Sequence, residues 1–216
     1  MTYNLASRNR TFYEDVALVK GLPKVPTIVF IGVNLGRYTG PYTTKTISLT
    51  PDPERSANYT PHHHSSAHIL SLARKKAMVT DWMKRRYPVF QSRYRYNLKQ
   101  LRRLIVVCKR LGLHPVMLDL PRNMDVIKDA FYRPIQRYHQ GCRALAKEFD
   151  VPFVNFIRDA NLVNRDFFDL AHMVEPGRTK WQRLLSDKTI RMLKRFGMMP
   201  PIYETPTPTP SAAPVS

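Results

Sequence analysis

At 216 residues, 43% of them hydrophobic and 11% aromatic, the chain is long and apolar enough to bury the core of one α/β domain. Its 35 Lys and Arg against 16 Asp and Glu leave a formal charge of +19 at pH 7, which implies either an anionic neighbour or simply a basic, solvated surface. No apolar run approaches the ~20 residues of a membrane span, and the two cysteines, Cys108 and Cys142, lie in helical-periodic stretches that exclude a disulfide framework or metal-ligand spacing.

The basic residues are spread over several predicted helices and form no single stripe with interleaved aromatics, which disfavours nucleic acid as a partner. The first ten residues lack the apolar core of a signal peptide, so the chain as written reads as cytoplasmic. Envelope association would require an upstream segment.

In chain order, a short amphipathic helix is expected over about residues 10–20, stopped by Gly21-Leu22-Pro23. Thr27-Ile28-Val29-Phe30-Ile31-Gly32 is a continuous β-branched apolar run, the pattern of a strand buried on both faces in a parallel sheet. It ends in Gly32-Val33-Asn34, at the carboxyl end where open α/β sheets bind ligands. Residues 38–66 are rich in Thr, Pro, Tyr and His and read as a long loop or lid. Adjacent side chains point apart, so His62-His63-His64 in this loop is a poor metal site, and neither a metal nor a cofactor is expected.

Helical spacing resumes near Ser66, and Pro88 is expected to break that helix. A second helix follows over about 92–111, with Gly112 as its cap. A strand is expected at 115–120, a helix over about 126–149 bent at Pro134, a strand at 152–156, and a final helix over about 176–196. Residues 1–198 thus read as one domain and 199–216, with their Thr-Pro repeats, as a disordered tail. Strands alternating with helices imply a three-layer α/β fold, a short parallel sheet flanked by helices.

Three polar features follow strand ends: Gly32-Val33-Asn34, Asp119-Leu120-Pro121-Arg122-Asn123, and Asp169-Leu170-Ala171-His172. In a parallel sheet these ends share one rim. A neutral His can take a proton from a hydroxyl, and a carboxylate on its other nitrogen fixes the tautomer. An Asn amide and a backbone N–H can donate to a developing oxyanion.

These motifs together resemble the SGNH (GDSL-type) hydrolases over roughly residues 25–197. Gly32-Val33-Asn34 is similar to the family's Gly-x-Asn block, and Asp169-Leu170-Ala171-His172 to its Asp-x-x-His block. The resemblance implies an SGNH/flavodoxin-like fold and a serine esterase or acyltransferase acting on an ester, such as an O-acyl group on a carbohydrate or envelope polymer. His172 would be the base, Asp169 its orienter, and Asn34 with Gly32 the oxyanion hole. Arg37, Arg122 and Arg178 would make the rim basic, suited to an anionic substrate.

The family's Ser block should precede the Asn block at the end of a first strand. The only serine before Asn34 is Ser7, in Asn4-Leu5-Ala6-Ser7-Arg8, with no preceding glycine and too few residues for a buried strand. The resemblance therefore implies a first strand and nucleophile upstream of Met1, and low activity for the chain as given, with Ser7 as the in-chain alternative. Plain structural accounts stand beside the catalytic ones. Asn34 or Asp169 can cap a turn, His172 can be a satisfied histidine, and Arg122 and Asn123 can be turn residues. A non-catalytic module of the same fold, binding an anionic polymer or a protein, is the competing function. A dinucleotide site is disfavoured, since Gly32-Val33-Asn34-Leu35-Gly36-Arg37 lacks a third glycine.

Overall fold

A computed structural model describes residues 10–22, 25–42 and 68–199. Ser7, His62-His63-His64, most of the expected loop and the Thr-Pro tail lie outside the described residues.

The first helix, α1 (Phe12–Lys20), starts at a capping box. The Thr11 amide donates to Glu14 Oε2 at 2.6 Å and the Glu14 amide to Thr11 Oγ1 at 3.3 Å. Strands β1 (Ile28–Val33), β2 (His114–Asp119) and β3 (Phe153–Asn155) form a parallel sheet in the order β1-β2-β3. Val33 pairs with Asp119 and Asp119 with Asn155, so the three carboxyl ends lie level along one rim.

The central β2 is buried along almost its whole length, as its unbroken apolar run requires. On one face of the sheet, Ile31, Val33 and Met117 join residues of α1, of the long helix α3 (Tyr87–Arg110) and of α5 (Tyr132–Phe149). On the other, Val116, Leu118 and Val154 meet Trp181, Leu184, Leu185 and Met192 of the last helix, α7 (Glu175–Arg195), which comes after the short α6 (Phe156–Asp159). The architecture is α/β with helices on both faces of a small parallel sheet.

Two helix boundaries differ from expectation. Pro88 does not break the chain. Helix α2 (Leu72–Asp81) passes through one π-helical turn, Trp82–Arg86, into α3, where Pro88 sits in the first turn. The Tyr87 amide reaches back to the Trp82 carbonyl across the wider turn. A wide turn here leaves room for the proline ring and dispenses with its missing N–H. The second boundary is in the stretch after β2. A short helix α4 (Met124–Ile127) gives way to a 3-10 turn, Lys128–Phe131, with Lys128 at φ 44°, before α5 begins. Pro134 falls in the first turn of α5 and produces no bend, because the N–H it lacks has no partner there.

The turn after β1 is pinned by an aromatic cluster. Tyr38, in the 3-10 turn Leu35–Thr39, is fully buried, with ring centroids of Phe12, Tyr94 and Tyr138 at 5.5, 5.5 and 5.6 Å. Its hydroxyl lies 3.1 Å from Cys142 Sγ, and its carbonyl accepts from Asn97 Nδ2 at 3.2 Å. This ring ties the carboxyl end of β1 to α1, α3 and α5 at once. Tyr38→Ala should therefore lower the unfolding free energy by about 3–5 kcal/mol, read as a reduced urea midpoint with an unchanged m-value.

Candidate functional site

The chain from Asn164 to Val174 has little regular structure. It begins with a 3-10 turn, Asn164–Asp166, and is closed by a short antiparallel bridge between Phe167 and Met173. The Phe168 amide donates to the His172 carbonyl at 2.7 Å, and the Val174 amide to the Asp166 carbonyl at 3.0 Å. The loop is thus a tight hairpin leading into α7. Pro176 enters that helix in its first turn. Gly177 follows, where a Cβ would come within 2.9 Å of Asp166 Cβ and closer still to the Asp166 carbonyl oxygen. The Pro-Gly signal marks a helix start and a close backbone approach together.

At the hairpin tip, Asp169 Oδ1 accepts from the Ala171 amide at 2.8 Å and the His172 amide at 2.7 Å. Asp169 Oδ2 lies 2.8 Å from His172 Nδ1. Asp169 is buried, whereas the His172 side chain is 65% exposed. Burial pushes the Asp169 carboxyl up, but the His172 ring and the two backbone N–H groups outweigh it and hold the acid below its ordinary value. The carboxylate is ionised at neutral pH. It fixes the proton on Nδ1 and makes Nε2 the basic nitrogen of the ring. Asp169 therefore caps the turn with one oxygen and orients His172 with the other.

Three further groups hold this hairpin, and only one lies in a motif noted from the sequence. Lys75 of α2 is fully buried, and its ammonium donates to Asn164 Oδ1 at 2.8 Å, the Asn164 carbonyl at 3.2 Å and the Phe167 carbonyl at 2.8 Å. Burial lowers its basicity, and the Asp169 charge opposes that shift. Asn123, also fully buried, donates from Nδ2 to Asn164 Oδ1 at 2.9 Å and to the Asp169 carbonyl at 3.1 Å, while its amide donates to the Leu170 carbonyl at 3.0 Å. Asp166 accepts from Lys180 Nζ at 3.0 and 2.8 Å, bonding the hairpin to α7. Lys75 carried no sequence signal, since it sits in the basic run Arg74-Lys75-Lys76.

The other expected residues divide. Asn34 stands at the end of β1, on the same rim, and its Oδ1 accepts the Arg37 amide at 3.1 Å as cap of the 3-10 turn. Gly32 has a packing account, since a Cβ there would come within 3.1 Å of Leu120 Cδ1. Arg37 lies over the Phe12 ring, 4.2 Å from its centroid, and pairs with Asp15, so it braces α1 against the turn after β1. Arg178 is half-buried in the first turn of α7, its amide bonded to the Val174 carbonyl at 2.9 Å. Arg122 is buried beside Asn123. Ser7 lies outside the described residues. Cys108 and Cys142 are free and buried, and burial pushes each thiol up to about 12, which removes them as nucleophiles near neutral pH.

A second Asp–His pair, absent from the motif reading, lies beneath the rim. Asp119 is fully buried, its Oδ1 accepting from the Tyr138 hydroxyl at 2.6 Å and its Oδ2 lying 2.6 Å from His139 Nε2. The available signal was a carboxylate at the end of a buried strand together with Tyr138-His139 on the apolar stripe of a helix. Among the described residues, no group of three or more His, Cys, Asp or Glu is arranged to hold a metal ion, and no helix is long and apolar enough to cross a membrane.

Replacing Lys75 by Met leaves the Phe167 carbonyl without its donor and takes one of two donors from Asn164 Oδ1 and from the Asn164 carbonyl. Stability should fall by about 2–3 kcal/mol, and hydrogen exchange at the Phe168 and Val174 amides should quicken more than exchange in β2. The lowered Asp169 carboxyl has a definite pH signature. Its folded value lies below its unfolded one, so its contribution is complete above the ordinary Asp range, ~3.9, and is lost as pH falls through the lower folded value. Protection of the Ala171 and His172 amides should persist down to about pH 4 and collapse below it, a pH dependence that Asp169→Asn abolishes. Compared with models of known protein families, with curated proteins and with solved structures, the chain finds no match.

Proposed function

We propose that the carboxyl rim of the sheet is the active site of an ester hydrolase or acyltransferase of the Ser-His-Asp type, in the manner of the SGNH hydrolases. The observation that carries this reading is the Asp169–His172 pair: a buried carboxylate 2.8 Å from Nδ1 of an exposed imidazole, with its other oxygen fixed by two backbone amides. A purely structural histidine is usually buried on a satisfied face, as His139 is. Here the carboxylate is rigid and ionised, and the ring it orients projects from the hairpin tip.

In this mechanism His172 Nε2 removes the proton of an attacking hydroxyl, and Asp169 stabilises the imidazolium that forms. Nε2 then returns the proton to the leaving alkoxide. Asn34 Oδ1 is held by the turn after β1, which makes Nδ2 the group it can offer to the tetrahedral oxyanion. One such donor contributes roughly 3–4 kcal/mol to the transition state. The nucleophile is a serine hydroxyl. Of the three serines in the described parts of the chain, Ser71 caps α2, Ser92 donates to the Val89 carbonyl and Ser186 lies within α7, away from the end of a strand. Ser7 is the in-chain candidate of the sequence reading.

The substrate class is an acyl ester, with an O-acylated carbohydrate or envelope polymer the leading choice. The competing reading, a binding module for an anionic polymer or protein, draws on the charge of +19 and needs no base.

Hydrolysis of p-nitrophenyl acetate separates the two. The 216-residue chain should turn the ester over slowly yet above the buffer rate. His172→Ala and Asp169→Asn should each return the rate to that of buffer, with the unfolding midpoint of His172→Ala unchanged. A rate indifferent to His172→Ala removes the histidine from the chemistry and favours the binding module.

A further inference from the structure

Arg122 follows β2 on the rim and is nine-tenths buried, with 9% of its surface exposed. Its charge is felt by the buried Tyr138 hydroxyl, which donates to Asp119 Oδ1 at 2.6 Å. His139 Nε2 closes the other side of that carboxylate at 2.6 Å. Arg122 therefore lies near a buried Tyr138–Asp119–His139 cluster.

Its remaining donors are not satisfied. Nε and Nη2 are both buried and neither has a hydrogen-bond partner among the described residues. These two N–H groups occupy one edge of the planar guanidinium and point in parallel, the geometry that grips two oxygens of a carboxylate or phosphate. A buried charged donor without an acceptor is rare, and here two lie on one edge. The next residue carries a third unmet atom, Asn123 Oδ1. Among the described residues seven buried side-chain atoms lack a partner, and three of them fall on this dipeptide, beside the Asp169–His172 hairpin that Asn123 holds.

We propose that the Nε–Nη2 edge of Arg122 is an oxyanion seat on this rim, taking a carboxylate or phosphate group carried by the ester substrate. The proposal rests on the reading of the rim as the substrate site and narrows its substrate to an acidic ester. Burial of the Arg122 side chain already restricts its rotamers before the ligand arrives, so little side-chain entropy is lost on binding. Lysine could supply the charge here but not the paired donors.

The full chain, labelled with ¹⁵N, is titrated with inorganic phosphate and separately with acetate, against chloride at matched ionic strength, while the Arg122 Nε–H resonance is followed. A saturable shift with phosphate or acetate, absent with chloride, is expected, and the stronger of the two anions identifies the group that the substrate carries. By calorimetry, Arg122→Lys should weaken that anion at least about tenfold. His172→Ala and the exposed Arg183→Gln should bind it as the unaltered chain does. No saturable shift in the unaltered chain, the result if water alone meets this edge, overturns the proposal. Equal weakening by Arg183→Gln also overturns it, because the effect would then be one of general charge. The titration requires no turnover, so failure of the esterase reading leaves it intact, and failure to bind anions leaves hydrolysis of neutral esters intact.

Discussion

A buried ammonium group holds the candidate site together. Lys75 has no solvent contact, and three acceptors from Asn164 and Phe167 take the place of water around it. A charge out of water is tolerated only when every donor is matched. The Asn164–Val174 segment has too little secondary structure to satisfy its own carbonyls, so the lysine and the segment complete each other. Asn123 does the same from the end of β2, and Lys180 from α7 through Asp166. The hairpin that carries Asp169 and His172 is thereby fixed from three sides by elements far apart in the chain.

That support explains how an exposed imidazole can be well oriented. His172 projects into solvent, yet its Nδ1 partner is a carboxylate whose other oxygen is locked by two amides of the same turn. Orientation comes from the turn, through the carboxylate at Nδ1. The two Asp–His pairs make an instructive contrast. Asp119–His139 is buried and shares its carboxylate with Tyr138, so it serves the core. Asp169–His172 has the same atoms in contact but stands at the surface of the rim. Burial, more than the pairing itself, distinguishes the two pairs.

Strand and helix order was legible because it depends on local pattern. All three strands, Ile28–Val33, His114–Asp119 and Phe153–Asn155, form within a residue or two of expectation, but β1, expected to be buried on both faces, is an edge strand that leaves Phe30 38% exposed. Prolines were harder to place. Pro88 and Pro134 both sit in first turns of helices, where the ring costs little. The π-helical turn just before Pro88 accommodates it within a continuous helix, and the helix expected over about 126–149 is interrupted at Lys128–Phe131, ahead of its proline. Arg37 was read as a rim group, but its position over Phe12 beside Asp15 depends on where α1 packs.

By itself the sequence determined the parallel α/β order, the level carboxyl ends and the Asp-x-x-His spacing that lets one carboxylate meet both the turn amides and the ring three residues on. These are short-range consequences of apolar periodicity and backbone geometry. The tertiary structure alone decided which cations became interior supports and which stayed at the surface. Lys75, Lys180, Arg37 and Arg122 look alike among 35 basic residues, because charge is a property of the side chain while desolvation belongs to its surroundings. Only the packed chain surrounds Lys75 with carbonyls and Arg37 with an aromatic ring and a carboxylate, and leaves one edge of Arg122 without an acceptor among the described residues.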